Sequence, residues 1–310
     1  MTVAMETQGL TRRFGDLLAV EALDLQVQKG EILGFLGPNG AGKTTSIRMM
    51  TGLLAPTAGT VRILGRDIAQ DPEAVREHVG VCPQENVLWT ELTCEENLLF
   101  LADMYGLPRR EGRERTRDLL ARLGLTEKAR TRADALSGGL KRRLTIAGAL
   151  IHDPDIVVLD EPEAGLDPQA RVVVREFIHS LKGTKTIILT THNMDEAERL
   201  ADRVAVVDRG RLIALDSAKR LKETVGAGDV LEVTVQGDPA PLASRLREAG
   251  AGEVSVLDRT LLVRGLDLAR RFPALLGEVE KSGLAVEDVR YRPNSLEDVF
   301  IALTGRGLRE

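Results

Sequence analysis

Residues 32–45 read ILGFLGPNGAGKTT, and this stretch decides the fold. The apolar run 32–36 predicts a strand buried on both faces. Residues 37–44 fit the phosphate-loop pattern G-x4-G-K-[ST] between that strand and a short helix. Glycines let consecutive backbone N–H groups turn inward, which makes an anion site at a helix N-terminus. A glycine-rich turn without a ligand is the alternative, and the strand before and helix after the loop argue against it.

The same loop supplies the first candidate site residues. Lys43 is expected to reach the β- and γ-phosphates of ATP, and the Thr44 hydroxyl to ligate Mg²⁺. The loop residues predicted to bind the nucleotide are Gly37, Asn39, Gly40, Ala41, Gly42, Lys43, Thr44 and Thr45.

A second anchor for a metal follows the apolar stretch IVVLD at residues 156–160. A carboxylate at the end of a buried strand can hold Mg²⁺, so Asp160 is predicted to be a metal ligand. Glu161 comes next and projects to the opposite side of the strand. The two acids can therefore act separately, Asp160 on the metal and Glu161 on an attacking water. Alone, the pair could be an ordinary polar strand end.

Composition excludes several other classes. The 42 basic and 47 acidic residues give 42 − 47 = −5, and aromatic residues are only 3% of the chain. The chain thus has neither the excess of positive charge nor the aromatic residues for base stacking that would favour binding to nucleic acid. Cys82 and Cys94 match no zinc or redox spacing, which is typical of reduced thiols in a cytosolic protein. We expect no signal peptide and no membrane span, because no apolar run approaches the ~18–20 residues that crossing a bilayer needs.

Two domains are expected, residues 1–225 and 226–310. In the first, strands alternate with helices, which predicts an α/β fold with a mainly parallel sheet, an antiparallel strand before the phosphate loop and a helical subdomain inserted at about 90–150. The boundary is placed at Ala227 and Gly228. Beyond it, the order strand-helix-strand-strand-helix-strand predicts a small ferredoxin-like α+β domain. A last helix follows, with Ser295 and Asp298 as its capping box.

Between the two phosphate-site motifs lies the sequence LSGG at residues 136–139, opening the helix LKRRLTIAGALI. With it, the chain resembles the ABC-type ATPases over roughly residues 2–222. The residues that match the family's other motifs, in chain order, are Phe14 in RRFG, Gln84 in VCPQEN, Asp167 in AGLD and His192 in LTTHNM.

The resemblance implies a mechanism. Glu161 would be the catalytic base and His192 would contact the γ-phosphate. Gln84 would sense the metal and link the site to the helical subdomain. Phe14 would stack on adenine. The signature residues Ser137, Gly138 and Gly139, with Asp167, would face the γ-phosphate held by a partner subunit, so the active form would be a homodimer or heterodimer around two ATP molecules.

Three positions depart from the family pattern. Leu140 stands where Gln is usual, Phe14 where Tyr is more frequent, and Glu163 where Thr or Ser is common. None removes a phosphate donor or metal ligand. Glu163 is expected to add negative charge near the dimer seam, which would slow closure or favour an unlike partner.

The last helix, SLEDVFIALTG, resembles the extension of drug-resistance/daunorubicin-type ATPases, which pair with separate ABC-2 permeases and are exporters. That implies a cytoplasmic subunit held peripherally at the inner face of the membrane, with no nucleic acid as partner. Two alternatives are a soluble ABC ATPase of nucleic-acid or ribosome metabolism and a non-catalytic module. The first usually has two cassettes or a coiled-coil insertion, and the second predicts loss of Glu161 or His192. The cargo stays open.

Overall fold

The structure is a computed structural model that describes residues 2–224, 229–265 and 268–305. The chain divides into two compact units, Met1–Ser217 and Ala218–Glu310. The boundary placed at Ala227 and Gly228 lies outside the described residues. Residues 218–224, assigned from the sequence to the first domain, group with the second unit.

A six-stranded sheet forms the centre of the first unit. All its strands run parallel except β10, which is antiparallel to its neighbour β9. In spatial order the strands are β10 (Arg211–Asp216), β9 (Arg203–Asp208), β3 (Ile32–Leu36), β8 (Thr186–Thr191), β7 (Ile156–Asp160) and β6 (Val79–Cys82). Strands β3, β7 and β8 are buried at every position, as their apolar runs predict. Because parallel strands end at the same edge, the segments after β3, β7 and β8 meet there.

An antiparallel sheet completes the β structure of this unit. Its strands, in spatial order, are β2 (Leu17–Gln28), β1 (Val3–Phe14), β4 (Ala58–Ile63) and β5 (Arg66–Asp67). Towards its end, β2 alternates buried Leu23, Leu25 and Val27 with exposed Asp24 and Gln26. The antiparallel strand predicted before the phosphate loop is therefore confirmed, and one of its faces is exposed to solvent.

Helices cover the sheets and form the inserted subdomain. The helices of the first unit are α1 (Lys43–Met50), α2 (Pro72–Arg76), α3 (Cys94–Met104), α4 (Arg109–Arg122), α5 (Gly138–Leu150), α6 (Pro168–Ser180) and α7 (Met194–Leu200). Helices α3, α4 and α5 pack on one another through buried residues such as Leu98, Leu119 and Leu144. Two 3₁₀ turns, Thr126–Lys128 and Ala133–Ala135, lead from α4 to α5.

The second unit has the βαββαβ order of a ferredoxin-like fold. Its described elements are α8 (Ala218–Thr224), β11 (Asp229–Val235), α9 (Ala240–Glu248), β12 (Glu253–Leu257), β13 (Thr260–Gly265), α10 (Leu268–Lys281), β14 (Val286–Pro293) and α11 (Leu296–Thr304). The strands pair antiparallel in the order β12-β13-β11-β14. Ser295 and Asp298 form the predicted capping box of α11.

The predicted fold class is confirmed, with a P-loop α/β unit, an antiparallel sheet, an inserted helical subdomain and a small α+β unit. Within the described residues, no helix combines the length and apolar character that spanning a bilayer requires.

Candidate active site

The phosphate loop leaves the carboxyl end of β3 and enters α1. Gly42 precedes the helix at φ 96°, in the left-handed region that glycine tolerates best. A Cβ on Gly42 would lie 2.6 Å from the Ala19 carbonyl oxygen, and one on Gly37 would lie 2.3 Å from that of Val207. These two positions thus require glycine. Asn39 and Gly40 are exposed at the loop tip, while Ala41 is buried.

The Lys43 ammonium lies against its own loop. Its Nζ donates hydrogen bonds to the carbonyl oxygens of Gly37 (2.8 Å) and Pro38 (3.0 Å). Burial lowers the pKa of Lys43, and the negative charges of Glu161 and Asp160 act in the opposite direction. A cation bonded to neutral carbonyls gains strongly from an anionic phosphate, so the loop is suited to nucleotide.

Asp160 ends β7 next to the phosphate loop. The Thr44 hydroxyl donates to Asp160 Oδ2 at 3.4 Å, and the Thr190 hydroxyl donates to Oδ1. Asp160 is only 5% exposed. A buried carboxylate paired with a hydroxyl is the hard-oxygen donor set that Mg²⁺ prefers. Thr45, next to Thr44 on α1, is half-buried.

Glu161 is the meeting point of three predicted catalytic side chains. His192 Nδ1 lies 3.0 Å from Glu161 Oε1, and Gln84 Nε2 donates to Oε2 at 3.4 Å. Because an ionised carboxylate only accepts, Nδ1 carries the proton in that bond. Glu161 is buried, whereas Gln84 and His192 are exposed. The carboxylate is thus oriented from two sides by groups that reach solvent.

The signature residues lie elsewhere, at the N-terminus of α5. The Ser137 Oγ accepts the Leu140 N–H at 3.4 Å and so caps the helix, while the hydroxyl proton remains available. Ser137 and Gly138 are exposed, and a Cβ on Gly138 would meet nothing within 4 Å. The helix start therefore offers an open anion-binding surface.

Asp167 caps the neighbouring helix α6, accepting the backbone N–H groups of Gln169 (3.0 Å) and Ala170 (2.9 Å). A Cβ on Gly139 would lie 3.3 Å from that of Ala170, so the signature and Asp167 segments pack together. They form one exposed edge of the chain.

Phe14 lies at the β1–β2 hairpin, paired with Leu17. The Arg12 guanidinium lies 4.5 Å from the centre of its ring, and the side chain remains 44% exposed. The contact of Gly42 with Ala19 brings this hairpin next to the phosphate loop. An exposed aromatic ring beside that loop is suited to stacking on a base.

Glu163 corrects an expectation. It is 4% exposed, and both its carboxylate oxygens accept from Arg175, at 2.9 and 2.6 Å. Arg175 of α6 thus neutralises the extra negative charge within the chain, which removes the argument that it slows closure or selects an unlike partner.

Glu196 on α7 is a further buried acid near the site. It accepts the Thr191 hydroxyl at 2.6 Å. Burial raises the pKa of Glu196 to about 7, despite that hydrogen bond, and the charges of Glu163 and Glu161 raise it further.

Sequence reasoning missed two residues that organise the site, Thr190 and Arg142. The signal for Thr190 is a threonine directly after the apolar run 187–189 of strand β8. Arg142 shares a helix face with Ile146 and Ala149, four and seven residues on, which are both buried. A charge on such a face can be recognised in the sequence.

Comparison with known proteins identifies the family. Residues 20–164 match the family model described as ABC transporter. Over its whole length the chain is 41% identical to the Nod factor export ATP-binding protein I of Ralstonia nicotianae, covering 96% of that protein. A namesake from a Rhizobium species is 42% identical over 99% of each chain. The chain belongs to the ATP-binding subunits of ABC transporters.

Solved structures agree with this family. The structure of an ATP-binding subunit of an ABC transporter matches with a TM-score of 0.67 and 31% identity, over 72% of this chain and 93% of that one. CbiO1 of Clostridium perfringens, described as part of the ABC transporter complex CbiONQ, matches with a TM-score of 0.66 and 26% identity, over 81% and 98%. The predicted ABC-type ATPase is confirmed, and the relatives favour the exporter over the soluble alternative.

Proposed function

We propose that two copies of this subunit, or one copy and a related chain, close around two ATP·Mg²⁺ and drive export through a separate ABC-2 permease. The observation that carries the proposal is the division of the site. Lys43, Asp160 and Glu161 lie together at the edge of the sheet, while Ser137 and Gly138 are exposed at another helix end. Each chain would then supply one half of two shared sites.

Thr44 and Asp160 fit a magnesium ion. Their oxygens are 3.4 Å apart, and Thr190 holds the second carboxylate oxygen. Gln84, bonded to Glu161, would complete the protein's contribution. When bound, Mg²⁺ would neutralise phosphate charge and help align the triphosphate. One carboxylate with hydroxyl and amide oxygens leaves coordination positions for phosphate and water.

The chain's own residues would carry the remaining steps. Lys43 would exchange its loop carbonyls for the β- and γ-phosphates. Glu161 would accept a proton from the water that attacks the γ-phosphate, with His192 holding its carboxylate in place. Ser137 and the N–H groups beside it would bind the γ-phosphate of the opposite site. Closure would therefore depend on nucleotide, and hydrolysis would reopen the dimer.

A groove in the first unit is suited to the membrane partner. It encloses about 280 Å³, and Val87, Trp89, Leu101 and Tyr105 are among its mainly apolar lining residues. It lies between the loop after β6, which carries Gln84, and helices α3 and α5. A permease segment bound there would contact both that loop and the helical subdomain. The subunit would then lie on the cytoplasmic face of the membrane. The relatives are named for Nod factor export. For this chain we propose the same direction of transport, and we leave the transported molecule open.

The test is steady-state ATPase activity of the chain with its permease. Glu161→Gln should lower kcat by about 10²–10⁴-fold while nucleotide still binds, because general-base catalysis contributes this much. Lys43→Ala should abolish nucleotide binding itself. Exposed Glu198→Gln on α7 is the matched control and should retain kcat. Full turnover by Glu161→Gln would refute the proposed role of this carboxylate.

A further inference from the structure

Arg142 is a buried cation in the signature helix α5. Its side chain is 3% exposed, although it lies little more than one turn after the exposed Ser137. All five of its N–H donors, which is all that a guanidinium has, bond backbone carbonyl oxygens. The acceptors are the carbonyls of Pro83, Gln84, Asp160, Glu161 and Pro162.

These carbonyls come from two segments that meet at the site. Nη1 reaches the segment after β6, where the Gln84 oxygen is 3.1 Å away. Nη2 and Nε reach the end of β7, at 3.1 Å from the Glu161 oxygen and 3.3 Å from that of Pro162. A planar fork with fixed donor directions ties both segments to α5 in one geometry.

Glu161 needs such support because its backbone is strained. Its φ is 49°, in the left-handed region that non-glycine residues rarely adopt. The Glu161 N–H is held by the carbonyl and hydroxyl oxygens of Thr190, at 3.1 and 3.0 Å. Arg142 holds the Glu161 carbonyl. The residue is thus fixed on both sides, in the conformation in which its carboxylate meets His192 and Gln84.

We infer that Arg142 is a positioning residue for ATP hydrolysis, which holds the Glu161 backbone and joins it to the Gln84 segment and the signature helix. The inference rests on the proposed role of Glu161. A displacement of α5 would move both segments through this one side chain. The bonds of Arg142 go to these segments and not to the phosphate loop, so its loss should impair turnover more than nucleotide affinity.

The experiment compares Arg142→Gln and Arg142→Lys with Arg143→Gln, in the chain assembled with its permease. Arg143 is the neighbouring arginine and donates to the Leu123 carbonyl at 3.2 Å, within the helical subdomain. Both Arg142 variants should lower kcat by about 10- to 100-fold, with nucleotide Kd within about twofold of the parent, as a misplaced catalytic group predicts. Arg142→Lys should not restore the parent's kcat, because one ammonium cannot reproduce the five fixed donors of a guanidinium. Arg143→Gln should keep the parent's kcat.

A second readout separates positioning from a general structural role. In the Glu161→Gln background, adding Arg142→Gln should lower the residual kcat by less than about twofold, since residues that act as a unit are not additive. A parent-like kcat in a folded Arg142→Lys, equal losses in Arg142→Gln and Arg143→Gln, or full additivity would each overturn the inference. If Arg142→Gln does not fold, Arg142→Lys decides. Full turnover by Glu161→Gln would instead refute the proposed role of Glu161, on which the inference rests.

Discussion

The phosphate site of the first unit and the charged cluster of the second unit hold their charges in opposite ways. In the second unit, Arg292 donates to Asp298 at 3.0 and 2.5 Å and to Glu232 at 2.7 Å, so the charges neutralise one another. In the first unit, the buried Lys43 bonds carbonyls and the buried Asp160 bonds threonine hydroxyls. Charges held by neutral groups remain available to a ligand, whereas each charge of a buried pair is already compensated and would be left uncompensated if its partner were removed. We therefore interpret the first set as a site and the second as structure.

Removing Asp298 from its cluster with Arg292 and Glu232 should give the largest loss of stability. Asp298 is fully buried, so Asp298→Ala would remove the carboxylate that faces both Arg292 and the buried Arg264, which lies 3.5 Å from it. We expect a cost of about 3–5 kcal/mol in the unfolding of the second unit. Urea denaturation would measure it. Asp288→Ala removes an exposed carboxylate paired with Arg290 and should cost about 1 kcal/mol or less. Similar costs for both variants would contradict a structural role for the buried pair.

Glu196 tests the same contrast through the pH dependence of stability, because it is a buried acid whose carboxylate accepts from the Thr191 hydroxyl. Its pKa rises from 4.5 to about 7 on folding. Between those values the folded chain keeps a proton that the unfolded chain has lost, so the free energy of unfolding falls as pH rises.

Glu196→Gln removes this titration. It should therefore be more stable than the parent at pH 8, by up to about 3 kcal/mol, with little difference near pH 5. Thermal denaturation across this pH range is the measurement, with exposed Glu198→Gln as control. A pH-independent difference between Glu196→Gln and the parent would show that the carboxyl does not titrate in this window.

Phe14 extends the comparison to ligand binding, because its exposed ring is predicted to stack on adenine rather than to stabilise the fold. Phe14→Ala should raise the KM for ATP about tenfold, since stacking on a base contributes about 1–3 kcal/mol. Leu17→Ala, at the paired and exposed position of the hairpin, should leave KM unchanged. An equal KM in both variants would remove Phe14 from the adenine site.

The smallest stability effect concerns two helix caps. Ser137 caps α5 and Thr93 caps α3, so alanine at either position should cost about 1 kcal/mol of stability. Only Ser137→Ala should also lower ATPase activity, because only Ser137 is predicted to meet a phosphate. Equal ATPase activity in the two variants would make Ser137 a cap and nothing more.

In the first unit, the sequence predicts the structure best where a short run of residues determines the local backbone. The glycines at 37 and 42 are read directly from the loop, and strands β3, β7 and β8 from their apolar runs. Strand β1 was not predicted, because Thr7, Gln8 and Arg12 interrupt its apolar alternation and its pairing is set by β2 and β4. The roles assigned to site residues stay predictions.

What the sequence does not reveal is mostly contact between distant segments. Glu163 reads as a free negative charge until Arg175, twelve residues on, is seen to neutralise it. The sequence places Arg142 on an apolar helix face, but it does not show that the carbonyls of two loops surround the guanidinium. The left-handed backbone of Glu161 is likewise invisible in the sequence, because nothing marks a glutamate as strained.

Nucleotide-dependent association of Glu161→Gln tests the central claim of shared sites most directly. Sedimentation velocity with saturating ATP and Mg²⁺ should show a species of twice the 33.7 kDa chain mass, and the monomer without nucleotide. Adding Lys43→Ala to this variant should keep it monomeric. A Glu161→Gln chain that binds ATP yet has the same mass with and without nucleotide would contradict the account.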